Sequence, residues 1–312
     1  MSLLRSSFRL SAFALFLGFA PVSVVHAEPS RNINTYVLFA YEDCDFKGRN
    51  ADPTRGFITG GNVGVNKIDT HNPPNPVLSL GANGEVYLSS GTQVVANTAR
   101  INSNANLYDL YVNVLIGDSP PTVRNQGPTG FAAPILGPGD LPPPPVCTPG
   151  TIPVVVESNT TVNLTAGSYG DIQVKDDGTL NLGAGNYQVK SVSCGRRVTI
   201  NTVPGTILTV SEDFHLNNGS YVGPACDFRL ELCSNNVDSN NSTVSFGRNS
   251  TFYGTVFAPF GRINLGHSSD LFGRFWAETI GSDWNVNIEF CPTIPTAVKQ
   301  DATWGAIKAM HR

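Results

Sequence analysis

A repeat of 18 to 19 residues is the feature that most constrains how this chain can fold. The stretch 161–169 (TVNLTAGSY) returns 18 residues later as 179–187 (TLNLGAGNY), and 244–258 returns 19 residues later as 263–277. Apolar and polar residues alternate in each copy and glycines flank them, so the same positions can face inward every time. The pattern predicts an all-β domain, a right-handed β-solenoid in which each coil of 18–19 residues stacks on the previous one.

A solenoid of this kind predicts which residues stack on neighbouring coils and which residues pack in the core. Thr161 should lie above Thr179, and Gly254 above Gly273, on coils about 4.8 Å apart. The residues predicted to contribute mainly to packing are Leu164, Leu182, Val256, Phe257, Phe275 and Trp276.

The first 27 residues have the features of a secretory signal peptide. Arg5 and Arg9 precede a short uncharged apolar stretch at 10–20, and Ala27 supplies the small residue at the cleavage position. We expect cleavage after Ala27 and export to the periplasm or the cell exterior, with no membrane span once the signal is removed. An N-terminal membrane anchor is the alternative, although the apolar stretch is short for a bilayer.

The charge of the chain argues against nucleic acid as a partner. Only 14% of residues are charged and the formal net charge is −4. Removing the signal peptide deletes two arginines and no acid, which makes the net charge −6. Nucleic-acid binding needs basic clusters, which this sequence lacks.

Two segments interrupt the repeat and define the predicted organisation. Residues 118–153 contain 11 of the 22 prolines, and proline removes the donors that a sheet needs. This segment is therefore predicted to be an extended loop on the solenoid surface or a linker between two halves, and the Cys- and Asn-rich segment 224–241 a second loop. The other predicted segments are an N-terminal cap at 28–55, the solenoid at 56–290, and a tail at 291–312 with a short amphipathic helix at 301–312.

Six cysteines, all beyond the signal peptide, indicate an oxidising compartment. No Cys-x-x-Cys pair occurs, so a zinc site of the usual spacing is not expected. Cys226 and Cys233 are predicted to form a disulfide across a short loop. Pairing of either cysteine with Cys194 or Cys291 is the alternative, because connectivity does not follow from spacing.

Several turns resemble those of a known group of proteins. They are the Ala-Gly-Ser-Tyr turn at 166–169, the Leu-Gly-Ala-Gly-Asn-Tyr turn at 182–187, and the Phe-Ala-Pro at 257–259 followed by Gly273 and Trp276. Together with Gly61-Asn62-Val63, they resemble exported bacterial β-helix proteins of the choice-of-anchor-A or polymer-forming (bactofilin-like) type. The resemblance covers most of the mature chain and implies a surface, matrix or scaffold protein. It carries over no catalytic residues. The C-terminal residues 306–312 show no anchor motif like that of the anchored members, so attachment to a cell wall is not expected.

A possible calcium loop begins at Asp43 and Asp45. Lys47 and Thr54 stand where an EF-hand needs oxygen ligands of the right type. A structural turn is therefore expected, and a calcium site of another type that uses Asp43, Asp45 and Asp52 is the alternative.

Asp176 and Asp177 are adjacent acids within the regular coils. Glycosidases need two carboxylates that converge at a set separation, whereas neighbours on a strand point to opposite faces. Because Gly178 follows, we predict that they form a turn. His267 and Arg248, which occupy matching repeat positions, are expected to face solvent, so no catalytic, metal or cofactor residue is assigned.

The aromatic residues near the second repeat allow two interpretations. Large apolar residues at matched repeat positions are typical of a solenoid core, whereas an exposed stripe would suit stacking against sugars. The core interpretation is preferred for Phe252, Tyr253, Phe272, Phe275 and Trp276.

Three functions follow from these observations. The first is a secreted, non-enzymatic structural or adhesive protein, matrix-forming or carbohydrate-binding, with polysaccharide or cell-surface components as partners, self-association through open coil ends, and no cofactor. The second is a polysaccharide-active β-helix enzyme. The third is an ice-binding protein, which requires a flat face of regularly spaced threonines. It ranks last because the third position of the series that starts with Thr161 and Thr179 is expected to be Arg197.

Overall fold

The computed structural model describes residues 28–50, 54–81, 86–102, 104–117, 122–126, 135–234 and 243–291. These residues form an all-β structure with 24 strands in one sheet. Its helical elements are two single turns of 3₁₀ helix, Ile33–Thr35 and Pro138–Asp140. The predicted cleavage site after Ala27 and the predicted helix at 301–312 lie outside the described residues. No helix in the described part is long and apolar enough to cross a membrane.

The N-terminal part contains eight strands. They are β1 (Tyr36–Phe46), β2 (Phe57–Thr59), β3 (Asn62–Val65), β4 (Leu78–Leu80), β5 (Tyr87–Leu88), β6 (Gln93–Ile101), β7 (Asn106–Ile116) and β8 (Thr122–Gln126).

The part that follows Pro153 contains the other strands, most of them short. They are β9 (Val154–Val156), β10 (Thr161–Leu164), β11 (Gly167–Ser168), β12 (Asp171–Val174), β13 (Thr179–Leu182), β14 (Gly185–Val189), β15 (Ser191–Cys194), β16 (Thr199–Asn201), β17 (Thr206–Val210), β18 (Phe214–Leu216), β19 (Tyr221–Gly223), β20 (Arg229–Leu232), β21 (Val244–Phe246), β22 (Thr251–Leu265), β23 (Asp270–Ser282) and β24 (Asn287–Glu289).

Strand pairing follows the sequence repeat. Every pairing between described strands is parallel. Thr161 pairs with Thr179 and Gly254 pairs with Gly273, which confirms both predicted neighbours.

Apolar side chains in register form the core. Because alternate residues of a strand face opposite sides, one inward position repeats through successive strands and gives a continuous apolar column. This column is Val162, Leu180, Ile200, Val222, Phe252, Leu271, Ile288, Ile58 and Leu88. All of its members belong to the main apolar cluster or pack against it.

The N-terminal strand lies inside the stack of strands and not at its end. β1 pairs with β23 on one side and with β3 and β4 on the other. The expectation that residues 28–55 form a cap is therefore wrong for β1, because its apolar residues fill a layer between the two parts of the chain. From β1 the chain proceeds outward to β8, which pairs with β7. It resumes at the opposite end with β9 and returns through β12 to β24.

Residues 135–153, here called the crossing segment, run along the outer surface between these two ends. Leu136 exchanges two hydrogen bonds with the Asn66 side chain, of 2.9 and 3.0 Å. Further along, Cys147 forms a disulfide with Cys233, and the Thr148 amide donates to Gln188 Oε1 at 3.1 Å. Its many prolines suit this role because an extended surface segment needs no ladder hydrogen bonds of its own.

The crossing segment covers a second apolar cluster on the outer side of the sheet. Ile135 and Leu136 pack there with Phe39, Phe257 and Trp276. Phe257 and Trp276 are only 4% and 6% exposed although they face away from the main core. Both residues therefore contribute to packing, as predicted. They pack beneath the crossing segment and not in the main core.

The other residues predicted to pack follow the alternation. Val256, Phe275 and Leu182 are buried in the main core. Leu164 is only partly buried, because among the described strands β10 pairs with β13 alone.

The predicted disulfide between Cys226 and Cys233 is wrong. Cys233 pairs with Cys147 across a Cα–Cα distance of 6.2 Å, and Cys226 pairs with Cys291 across 5.7 Å. The physical reason is that β20 lies between Cys226 and Cys233. An extended strand of four residues spans about 13 Å, which is beyond the reach of a disulfide. Cys291 was among the alternatives for Cys226, and Cys44 and Cys194 are buried free thiols.

Candidate functional site: a polar ladder on the outer face

Three successive layers carry the same outward-facing pair of polar side chains. In β10, β13 and β16 the sequence is Thr-x-Asn, and the middle residue points into the core. The register stacks threonine on threonine and asparagine on asparagine through all three strands. We call this surface the ladder face, and its members are Thr161, Thr179, Thr199, Asn163, Asn181 and Asn201.

The third threonine of the series is Thr199, and the expected Arg197 was wrong. The first two layers are offset by 18 residues, but the next two are offset by 20. A constant offset of 18 therefore leads from Thr179 to Arg197, whereas the two extra residues bring Thr199 into register. Matching the Thr-x-Asn triplets, without assuming a constant period, would have identified Thr199 and Asn201 from the sequence.

Hydrogen bonds along the asparagine rank order the ladder face. Asn181 Nδ2 donates to Asn163 Oδ1 at 2.6 Å, and Asn201 Nδ2 donates to Asn181 Oδ1 at 2.7 Å. Side-chain ladders of this kind are a known source of stability in stacked parallel strands. They also hold the amides in one orientation, so that a ligand does not have to order them.

The ladder face is neutral and geometrically regular. Successive rungs are about 4.8 Å apart, and the two ranks, two residues apart on a strand, are separated by about 6.6 Å. Thr161 and Asn163 are exposed and the other four members are partly exposed. The result is a rigid array of hydroxyl and amide groups without a charged side chain at any of the six positions.

Aromatic residues continue the same surface beyond the ladder face. Tyr221 pairs with Thr199 in register, and Tyr253 follows on the next layers. Tyr253 and Phe272 are stacked with ring centroids 4.5 Å apart and planes 12° from parallel. Because these two rings turn their faces toward each other, that stacked interface is not available to a sugar.

The core interpretation of the aromatic residues therefore holds for Phe252 and Phe275, which are buried in the main core. Trp276 is also buried, but in the outer cluster under the crossing segment. Tyr253 and Phe272 are only partly buried, because their positions alternate with that of the inward Phe252 and its partner Leu271.

The structure places Asp176 and Asp177 in a turn, with Asp177 at φ +61°. Both oxygens of Asp177 accept hydrogen bonds of 2.7 Å from the Arg197 guanidinium. This contact holds the pKa of the Asp177 carboxyl below its ordinary value. Asp176 Oδ1 accepts a hydrogen bond of 2.8 Å from the Arg196 amide. Both carboxylates are thus engaged in joining one turn to the next.

Asp43 and Asp45 lie at the other outer surface, near Arg262. Asp45 Oδ1 is buried without a hydrogen-bond partner, and burial raises the pKa of the Asp45 carboxyl. The Asp43 side chain is exposed to solvent, but nearby protein atoms still partly desolvate its carboxyl group. This desolvation, together with the negative charge of Asp45, raises the pKa of the Asp43 carboxyl. Within the described residues no group of three or more His, Cys, Asp or Glu side chains is arranged to hold a metal ion. Asp52 lies outside them.

His267 and Arg248 occupy equivalent turns of successive layers, as the repeat predicted. The amide of Asn249, next to Arg248, donates to the carbonyl oxygen of His267 at 2.9 Å. Arg248 is exposed and His267 is partly exposed.

Comparison with known proteins gives no further assignment. No protein-family model, curated protein or solved structure matches this chain.

Proposed function

We propose that this chain is an exported, non-enzymatic β-solenoid protein that adheres to an ordered extracellular polysaccharide through the ladder face. The observation that carries the proposal is the register of Thr161, Thr179 and Thr199 beside the hydrogen-bonded asparagine rank. A repeating array of donors and acceptors suits a ligand that itself repeats hydroxyl groups along its length.

The solenoid part of the proposal is supported by the pairing pattern. Parallel partners from Thr161 to Thr199 are 18 and 20 residues apart, so one turn of the chain separates each strand from its partner. The layers do not follow one another in sequence order, because β1 pairs with β23 in the middle of the stack. The proline-rich crossing segment connects the two outer ends of the stack and contacts Gln188 on its way.

Export is supported by the two disulfides and by the signal-peptide pattern before Ala27. Disulfides persist in oxidising compartments. The resemblance to choice-of-anchor-A and bactofilin-like proteins agrees with a role at a surface or in a matrix, and we include it in the proposal on that ground alone.

Binding through the ladder face would depend on several weak contacts acting together. A single neutral hydrogen bond contributes about 1 kcal/mol net, so one rung alone would not hold a ligand. Three preordered rungs on a rigid sheet limit the entropy lost on binding. Because the six positions are neutral, this binding should depend little on salt, in contrast to charge-driven adhesion.

The same register favours ice as a second candidate ligand. The earlier objection was that the threonine series is interrupted by Arg197, and the structure removes it because Thr199 occupies the third rung. Ice and a polysaccharide fibre share the chemistry that the ladder face can recognise, an ordered surface of hydroxyl groups.

The test compares two lysine substitutions in the same layer. Thr179→Lys places a long charged side chain in the middle of the ladder face, and Ser193→Lys places it on the exposed outer side of β15. The exported protein, residues 28–312, is sedimented with insoluble cellulose, chitin and β-glucan, and is assayed for inhibition of ice recrystallisation. Thermal unfolding of both variants controls for folding.

We expect the wild type and Ser193→Lys to bind at least one of the polysaccharides, and Thr179→Lys to bind at least tenfold more weakly. Inhibition of ice recrystallisation that Thr179→Lys alone abolishes, without polysaccharide binding, would establish the second candidate. If both variants behave like the wild type in every assay, the ladder face is not the binding surface.

A further inference from the structure

A cleft with a volume of about 330 Å³ lies over the stacked residues Thr255 and Arg274. Its floor includes the outward positions of three layers, because Arg229 pairs with Thr255 and Thr255 pairs with Arg274. Pro142 of the crossing segment and Asn34 contribute to its walls. The cleft therefore exists only where both parts of the chain and the crossing segment meet.

Arg274 is a partly buried cation without a counter-charge. Its Nε donates to the Asn34 carbonyl oxygen at 3.2 Å, and its guanidinium carbon lies 4.5 Å from the centroid of the Phe290 ring. No carboxylate of the described residues forms an ion pair with it. Burial lowers the pKa of the guanidinium, although an arginine side chain stays charged in proteins. A partly desolvated guanidinium with no carboxylate partner among the described residues can accept an anion, and this arrangement therefore points to an anion site.

The other charges in the cleft restrict which anion fits. Arg229 forms an ion pair with Glu231, so these two charges cancel and Arg274 leaves an excess of one positive charge. A singly charged carboxylate would neutralise it. A doubly charged phosphate would be disfavoured by the nearby Glu231 carboxylate, whose side chain is only 14% exposed.

The polar neighbours suit a ligand that also carries hydroxyl groups. Thr255 lies between the two arginines in register and offers a hydroxyl group. Glu231 can accept a hydrogen bond from a ligand hydroxyl. The volume is at the lower end of the range for small-molecule sites, which limits the ligand to about one sugar unit.

We propose that this cleft binds the carboxylate of an acidic sugar, a uronic acid either free or as a residue of an acidic polysaccharide. Arg274 holds the carboxylate in the forked geometry that guanidinium and carboxylate groups favour. Thr255 and Glu231 bind the hydroxyl groups. The site is distinct from the ladder face and does not require that the ladder face binds anything.

The test is to titrate the exported protein, residues 28–312, with glucuronate and galacturonate and to measure binding by calorimetry or NMR. Glucose reports on the need for the carboxylate, acetate on the need for the sugar, and inorganic phosphate on selectivity among anions. An oligogalacturonide distinguishes a polymer-bound from a free acid.

Four variants make the assignment specific. Arg274→Gln removes the unpaired charge and should weaken uronate binding at least tenfold. Arg274→Lys keeps the charge but loses the fork, and should bind more weakly than the wild type and more tightly than Arg274→Gln. Arg196→Gln removes an exposed arginine from a distant turn, and Thr179→Lys alters only the ladder face; neither should change uronate binding.

The proposal is overturned if uronates do not bind the wild type, or if they bind and the Arg274 variants with unchanged thermal stability bind equally well. Acetate that binds as tightly as glucuronate would overturn the assignment to a sugar. Loss of polysaccharide adhesion in Thr179→Lys with full uronate binding would separate the two proposals.

Discussion

Trp276 Nε1 donates a hydrogen bond of 3.0 Å to the carbonyl oxygen of Tyr36, a residue 240 positions earlier in the chain. Both residues are buried, under the crossing segment. This contact joins β23, near the end of the described chain, to β1 at its beginning. It therefore reports on the interface between the two parts of the chain.

Replacing the indole donor tests the strength of this interface. Trp276→Phe leaves a buried carbonyl oxygen without one of its partners, which costs about 1–3 kcal/mol. We expect the free energy of unfolding in urea to fall by that amount. Trp284→Phe, in a turn where the side chain is partly exposed, is the control and should cost less. Equal effects of the two substitutions would mean that the Tyr36 contact adds nothing specific.

The paired glycines Gly254 and Gly273, in neighbouring strands, allow a test of how closely the layers stack. Gly273 has φ +149°, and a Cβ atom there would overlap the Gly254 carbonyl oxygen. Backbone strain and overpacking together should make Gly273→Ala cost about 3 kcal/mol or more. Gly91 also has positive φ, +81°, but a Cβ there meets nothing within 4 Å, so Gly91→Ala should cost only the backbone strain of about 1–2 kcal/mol. Denaturant titration of both variants measures the difference, and a similar loss in each would argue against tight stacking.

The disulfide between Cys147 and Cys233 ties the crossing segment to the sheet. It closes a separation of 86 residues, and such a cross-link typically stabilises a domain by about 2–4 kcal/mol. The double variant Cys147→Ser, Cys233→Ser should lose about that much stability. Hydrogen exchange at the Thr148 amide should also become faster, because its contact with Gln188 would no longer be held in place.

Removing the second disulfide provides the control for this effect. Cys226→Ser, Cys291→Ser opens a cross-link elsewhere in the stack and should leave exchange at Thr148 unchanged. Exchange that is unaffected by the loss of Cys147 would show that the crossing segment is held by its other contacts.

The buried oxygen of Asp45 predicts a dependence of stability on pH. Burial raises the pKa of this carboxyl in the folded protein above the ordinary 3.8. Its contribution to stability is therefore complete below the unfolded pKa and is lost as the pH rises through the folded pKa. Asp45→Asn does not titrate, so it should gain stability relative to the wild type between about pH 4 and pH 7.

Asp177 supplies a control of opposite sign. Its pKa is lowered by the hydrogen bonds from Arg197, so its contribution is present above the unfolded pKa and is lost as the pH falls. Asp177→Asn should therefore lose a little stability relative to the wild type as the pH rises. Because the Asp177 contribution changes below about pH 5, denaturant midpoints from about pH 2 to pH 7 check both slopes. Parallel curves for Asp45→Asn and the wild type would contradict the expected burial effect.

The in-register stacking of parallel strands could be predicted from the sequence because each layer repeats the alternation of its neighbour. Thr161 and Thr179 lie in register for this reason, and Phe252 and Leu271 fill the same core column. The failure at Arg197 had a simple physical cause, since the segments between strands can gain residues while the strands stay in register.

The contacts that close the fold could not be predicted in the same way. β1 repeats only a short part of β23, with Leu38-Phe39-Ala40 in register with Phe275-Trp276-Ala277. Because these triplets lie in distant parts of the sequence, a period of 18 to 19 residues does not connect them. The partners of Cys226 and Cys233 depend on which segments the folded chain brings together. The Arg274 cleft likewise combines strands with Asn34 and Pro142, which no local pattern in the sequence connects.

Asp176 and Asp177 allow a direct test of the enzyme alternative. Their carboxylates are engaged by the next turn, through the Arg196 amide and the Arg197 guanidinium. The Arg197 guanidinium holds the pKa of the Asp177 carboxyl below its ordinary value, so this group is a poor proton donor at neutral pH. We therefore expect residues 28–312 to release no reducing sugar from a panel of plant, algal and bacterial polysaccharides.

The double variant Asp176→Asn, Asp177→Asn makes this prediction decisive. It should leave adhesion unchanged and alter stability little, because exposed ion pairs contribute little and asparagine also tolerates the positive φ of the turn. Reducing-sugar assays on both proteins, with denaturant titration to confirm folding, provide the measurement. Turnover by the wild type that disappears in a folded double variant would establish a polysaccharide-active enzyme and remove the non-enzymatic proposal.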